Sequence, residues 1–135
     1  MIVLDASAAY AIADETASGQ GVRSLLLEGE KAIAPTLFLS EVANAAWKRM
    51  SFGAMDEPTA LRTMEAAICL VDEFFPEEQL AVEAVREAVR CNHPVYDMLY
   101  LVLARRTGAT LFTLDKKLVE LCREARVNCI EEVAF

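Results

Sequence analysis

Ile2-Val3-Leu4-Asp5-Ala6-Ser7 places three apolar residues, two of them β-branched, directly before an aspartate. A short apolar run of this kind reads as a strand buried on both faces, as in a parallel sheet. Its aspartate then arrives at the carboxyl edge of the sheet, which is where open α/β sheets bind ligands. Asp5 also suits the N-cap of a helix over Ala6 to Ala13. On this stretch alone both readings stand, and the rest of the chain has to decide between them.

Working outward, Ala32-Ile33-Ala34 is a second short apolar run, stopped by Pro35. Thr110-Leu111-Phe112-Thr113 is β-branched and aromatic, and Val127-Asn128-Cys129-Ile130 reads as a last strand. Between them lie helical patterns. A loose stretch at residues 18–21 is followed by a face of Val22, Leu25 and Leu26 that Gly29 closes. Residues 36–52 carry Leu37, Val42, Ala45, Ala46 and Met50 at helical spacing. Asp56 and Pro58 mark the start of a helix to about residue 67. Residues 68–71 either extend that helix or form a short third strand. Residues 77–90 form an amphipathic helix whose apolar positions are Leu80, Val82, Val85 and Val89. Alternation of strands and helices in this order predicts an α/β fold, a parallel sheet with helices on both faces.

The chain of 135 residues suffices for a single domain over 1–135. Its hydrophobic fraction is 55%, yet no apolar run approaches the ~18 residues that span a bilayer. No secretory leader is recognisable, so a cytoplasmic protein with no membrane association is expected. The surplus of apolar residues predicts a homodimer. A net charge of −8 excludes passive binding along a nucleic-acid backbone. It leaves room for an enzyme whose acidic site is neutralised by metal ions. Cys69, Cys91, Cys122 and Cys129 form no C-x-x-C pair, and Cys91 with His93 has no matching second pair, which argues against zinc. Free thiols are expected.

Three further acids lie in unusual settings. Glu41 has Leu37, Phe38, Asn44 and Ala45 as its helical neighbours, a largely apolar flank. From Val95 to Ala104 every residue except Asp97 is apolar or aromatic, all round the helix, which is therefore expected to be buried on most sides. Asp115 follows the strand at 110–113, as Asp5 follows the first. Each has a plain explanation: a cap, a solvated face, or a complement to a helix dipole. Coincidence in all of them is harder to accept. Clustered carboxylates hold hard cations such as Mg²⁺ or Mn²⁺, which orient phosphodiesters and activate water. No Ser/His/Asp or Cys/His set and no glycine-rich phosphate loop competes. His93, the only histidine, is expected to be structural.

These pieces together resemble the PIN-domain family, and within it the toxin ribonucleases of VapBC toxin–antitoxin pairs. The matching stretches are Ile2-Val3-Leu4-Asp5-Ala6-Ser7, Pro35 with Ser40-Glu41-Val42-Ala43-Asn44, Val95-Tyr96-Asp97-Met98-Leu99-Tyr100-Leu101, and Thr113-Leu114-Asp115-Lys116-Lys117-Leu118. The resemblance implies a three-layer α/β/α sandwich with a parallel sheet of order 3-2-1-4-5. It implies an endoribonuclease that cuts RNA with Mg²⁺ or Mn²⁺ held by Asp5, Glu41, Asp97 and Asp115. Ser7 and Thr113 would support those ligands or the substrate, or else serve local turns. A cognate antitoxin would cover the active-site groove or an apolar groove nearby. Lys48, Arg49, Lys116 and Lys117 are the candidates for RNA backbone contact, or else are solvated helix charges. The competing readings are a phosphoaspartate protein, of haloacid-dehalogenase or receiver type, and a non-catalytic binding module. A haloacid-dehalogenase-like enzyme would want a second aspartate where Ser7 stands.

Overall fold

The computed structural model describes residues 1–27 and 29–130. Five strands form one sheet: β1 (Ile2–Leu4), β2 (Ala32–Pro35), β3 (Glu73–Phe75), β4 (Thr110–Phe112) and β5 (Cys129–Ile130). All pairings are parallel and the order is β3-β2-β1-β4-β5. β1 is central, with Val3 opposite Ile33 on one side and Leu111 on the other. Its side chains alternate between two cores. Ile2 and Leu4 join Ala8, Ile12 and Phe112, whereas Val3 joins the larger cluster on the opposite face. That alternation is the period of a strand buried on both sides.

Among the described residues seven helices cover the sheet: α1 (Ala6–Ala13), α2 (Ala17–Leu27), α3 (Leu37–Ser51), α4 (Glu57–Cys69), α5 (Ala81–Cys91), α6 (Val95–Thr107) and α7 (Lys116–Ala125). α6 is the spine of the larger core. Met98 through Ala104 are all buried, as an all-apolar helix requires. Gly108, at φ 67°, turns α6 into β4. Among the described residues no helix is long and apolar enough to cross a membrane.

Several elements differ from expectation. Of the two readings open for residues 68–71, extension of the helix holds and the strand does not. α4 runs to Cys69, and the Leu70 and Val71 amides still bond back to Ala67 and Ile68. The third strand is Glu73–Phe75, fixed where Asp72 and Ala32 exchange bonds: each amide donates to the other residue, at 2.8 Å. A strand this short, beginning with an exposed glutamate, carries no alternation to read. Residues 18–21 belong to α2 rather than to a loose connection. The last strand is only Cys129–Ile130. The helix expected over 77–90 breaks at Leu80 into a 3₁₀ turn (Glu77–Gln79) and α5. Of its apolar positions Leu80 is buried, but Val82, Val85 and Val89 face solvent, at 66%, 53% and 78% exposure.

Candidate active site

Chain direction places the acids. α1, α3 and α7 each follow a strand, so their N-termini lie at the carboxyl edge of the sheet. α6 runs back toward the start of β4, which brings its N-terminus to the same edge. Asp5 caps α1, Glu41 lies in the second turn of α3, Asp97 in the first turn of α6, and Asp115 caps α7. The edge between β1 and β4 is also the point where the strand order reverses, the place where open α/β sheets bind ligands. Four helix N-termini turned toward it favour negative charge there.

Asp5 is the centre of a hydrogen-bonded unit. Its Oδ1 accepts from the Ser7 hydroxyl at 2.7 Å and the Ala8 amide at 2.9 Å. Its Oδ2 accepts from the Thr113 hydroxyl. Thr113 Oγ1 accepts from the Asp115 amide at 3.0 Å, and Ser7 Oγ from the Leu114 amide at 3.0 Å. The two hydroxyls thus stitch the ends of β1 and β4 together through Asp5. Asp5 is only 6% exposed. Burial pushes its pKa up to about 6, against the pull of the Thr113, Ala8 and Ser7 hydrogen bonds, with Asp115 adding a smaller push. Capping and site formation are therefore the same arrangement at Asp5, and the two sequence readings do not compete.

Glu41 is half-buried, and Oε1 accepts from the hydroxyl of the fully buried Tyr100. Burial raises its pKa, the Tyr100 bond opposes the rise, and repulsion from Asp5, Asp97 and Asp115 adds to it. Asp97 Oδ2 lies 2.8 Å from His93 Nε2. Asp115 Oδ1 accepts from the amides of Lys117 and Leu118, at 2.9 and 3.4 Å. His93 is expected from sequence to be structural and to lie outside the site, and Tyr100 is not singled out there. The signal for Tyr100 was a hydroxyl inside an otherwise apolar helix, three residues after Asp97, which must find a partner when buried.

Lys116 and Lys117 open α7 beside Asp115 and are exposed; Lys117 Nζ lies 3.8 Å from Glu120. Lys48 and Arg49 are in the last turn of α3, several residues past Glu41. Arg49 is also occupied. It binds Asp14 through both guanidinium amines, at 2.8 and 2.6 Å, and stacks over Tyr10.

The donor set is entirely oxygen, which suits Mg²⁺ or Mn²⁺. Among the described residues no group of three or more acidic, histidine or cysteine side chains stands close enough to hold a metal ion by itself. At each acid at least one oxygen is already engaged by the chain. Mg²⁺ does not require a cage, since it keeps several waters and takes one or two carboxylates with substrate phosphate. The residues fit such an open site.

A doubly wound parallel sheet that collects carboxylates at its switch point defines a class of α/β domains with an acidic site. The PIN domain family profile matches residues 2–124, and the chain belongs to the PIN-domain family. It is similar to Ribonuclease VapC3 of Pyrobaculum aerophilum, 31% identical over 126 residues, covering 88% of this chain and 92% of the relative. It is also similar to Ribonuclease VapC1 of Mycobacterium tuberculosis, 32% identical over 117 residues, 86% of each chain. The crystal structure of PAE2754 from Pyrobaculum aerophilum matches with a TM-score of 0.73 and 28% identity, over 89% of this chain and 78% of that one. The expected three-layer architecture and strand order are borne out.

Proposed function

We propose that this chain is an endoribonuclease dependent on Mg²⁺ or Mn²⁺, acting as the toxin of a toxin–antitoxin pair. The observation that carries the reading is the placement of Asp5, Glu41, Asp97 and Asp115, from four helix N-terminal regions, at the carboxyl edge where the strand order reverses. The ribonuclease names of the relatives support the substrate class. Asp5, Glu41, Asp97 and Asp115 would hold the cation, which would supply positive charge and Lewis acidity toward a phosphodiester. Thr113 and Ser7 hold Asp5 in place and join it to the backbone before α7. Lys116 and Lys117 give an acidic protein local positive charge beside Asp115, where a phosphate backbone would approach.

The phosphoaspartate reading is weaker, because three donors already engage both oxygens of Asp5. The partner readings rest on exposed apolar surface. Val82, Val85 and Val89 form an outward stripe on α5, and Trp47 packs edge-on against the exposed Phe52 beyond α3. We assign these surfaces to a second copy and to an antitoxin. A monomer by light scattering at micromolar concentration would refute the homodimer.

Cleavage of a panel of structured RNAs tests the activity, with Mg²⁺, with Mn²⁺ and with EDTA. Asp97→Asn and Glu41→Gln should lower the rate by orders of magnitude, as should chelation. Undiminished cutting by Asp97→Asn, or in excess EDTA, would overturn the assignment.

A further inference from the structure

We propose that His93 is the positioning residue for Asp97, fixing one carboxylate oxygen so that the other stays uncommitted for the cation and its phosphate ligand. The inference rests on the reading of Asp97 as one of the site acids.

The four acids are not held alike. Asp5 and Asp115 are anchored by the amides of the helices they cap. Glu41 is anchored by a buried tyrosine on another helix. Asp97 has none of these supports. It is the third residue of α6, where an acidic side chain commonly reaches back to the amide of the N-cap. Here the N-cap is Pro94, which has no N–H to offer. The Asp97 carboxylate is thereby released from capping. Among the described residues the His93 ring is its one hydrogen-bond partner, Nε2 lying 2.8 Å from Oδ2.

The backbone that carries the ring is fixed independently. Asn92 ends α5 in the left-handed region at φ 50°, and the His93 amide donates to Ala88 O at 3.0 Å. Pro94 follows and limits the chain on the other side. The imidazole is therefore not needed to cap either helix, and its nitrogen is spent on a side chain of the site. The ring is delivered by a short, constrained turn, as a support for a ligand should be. With a proton on Nε2 the ring donates to Oδ2. Donation of this kind, from a residue behind a ligating group, orients the ligand and tunes its strength.

The test compares wild type, His93→Leu, His93→Gln and Asp97→Asn. Mn²⁺ affinity is read by the paramagnetic signal of free Mn²⁺, and RNA cleavage is read as separate kcat and KM. His93→Leu should weaken Mn²⁺ binding by about 10- to 100-fold, with kcat falling at fixed Mn²⁺ more than KM rises. In His93→Gln the amide nitrogen can occupy the place of Nε2, so this variant should recover most of the lost affinity. Wild-type Mn²⁺ affinity in His93→Leu would overturn the proposal, and so would a His93→Gln no better than His93→Leu. The Asp97→Asn arm separates this from the underlying reading. Wild-type Mn²⁺ binding and cleavage by Asp97→Asn would remove the site itself. An inactive Asp97→Asn beside a fully Mn²⁺-binding His93→Leu would remove only the role of His93.

Discussion

Asp5→Asn in the metal-free protein should change how stability depends on pH, because burial disfavours the ionised carboxyl. Asp5 ionises at 3.8 when unfolded and at about 6 when folded. Between those values the folded state holds the proton more tightly. The stabilising contribution is full below 3.8 and is lost as pH rises through about 6. By pH 7.5 the ionised group costs the fold about 3 kcal/mol relative to its neutral form. Asparagine keeps the oxygen that accepts from Ser7 and Ala8 and cannot ionise. Its amide faces the Thr113 hydroxyl, which must then accept instead of donate; that mismatch is the same at every pH. The measurable quantity is therefore a slope, not an offset. Thermal melts of both proteins in EDTA, from pH 4 to 7.5, should show the difference in Tm moving by about 10 °C in favour of the variant, for a chain of 135 residues. Carboxylates outside the site titrate equally in both proteins and cancel, while Glu41, relieved of the Asp5 charge in the variant, moves the difference in the same direction. Added Mn²⁺ should recover the loss in wild type and less of it in the variant. Parallel Tm curves across the range would refute the argument that burial dominates at Asp5.

Tyr100→Phe removes the one hydroxyl bonded to Glu41 among the described residues and should cost about 1–3 kcal/mol at pH 7.5 in EDTA, measured by urea melts, with a smaller loss at pH 4.5 where Glu41 is more protonated. Gly19→Ala would place a Cβ 2.0 Å from Ala11 O, in the contact between α1 and α2, so the helices must separate; a loss of about 1–3 kcal/mol is expected by the same measurement. Arg49→Ala should lower stability by about 1–3 kcal/mol through the Asp14 and Tyr10 contacts, and leave RNA affinity unchanged by filter binding. Lys116→Glu/Lys117→Glu should weaken RNA binding and lower the salt slope of log K by about 2; an unchanged slope would remove both lysines from the interface.

The central strands and the acids that end them were legible because burial on both faces leaves a plain pattern: apolar residues, then a carboxylate. α6 was legible for the same reason. β3 was not, since an edge strand of Glu73–Phe75 shows no alternation and its position depends on the Asp72–Ala32 exchange far along the chain. The α5 valines misled because an amphipathic pattern says that one face is apolar, not that this chain's own core covers it. At the site, Asp5, Glu41, Asp97 and Asp115 could be picked out by type and setting. Their supports could not. The His93 bond to Asp97 depends on the rotamer of a turn residue, and the Tyr100 bond to Glu41 joins two helices far apart in sequence.

Asp5 and Asp115 each cap a helix with the same carboxyl that faces the site. Asparagine caps helices about as well as aspartate, and the two are one base change apart in the genetic code. Loss of charge at either position would thus leave the architecture intact. Such an allele would still express, fold and display its exposed apolar surfaces. It could occupy a shared partner without cutting anything, and so act as a decoy for its active siblings. At Asp115 the cap survives that change whole; at Asp5 only the Thr113 mismatch counts against it.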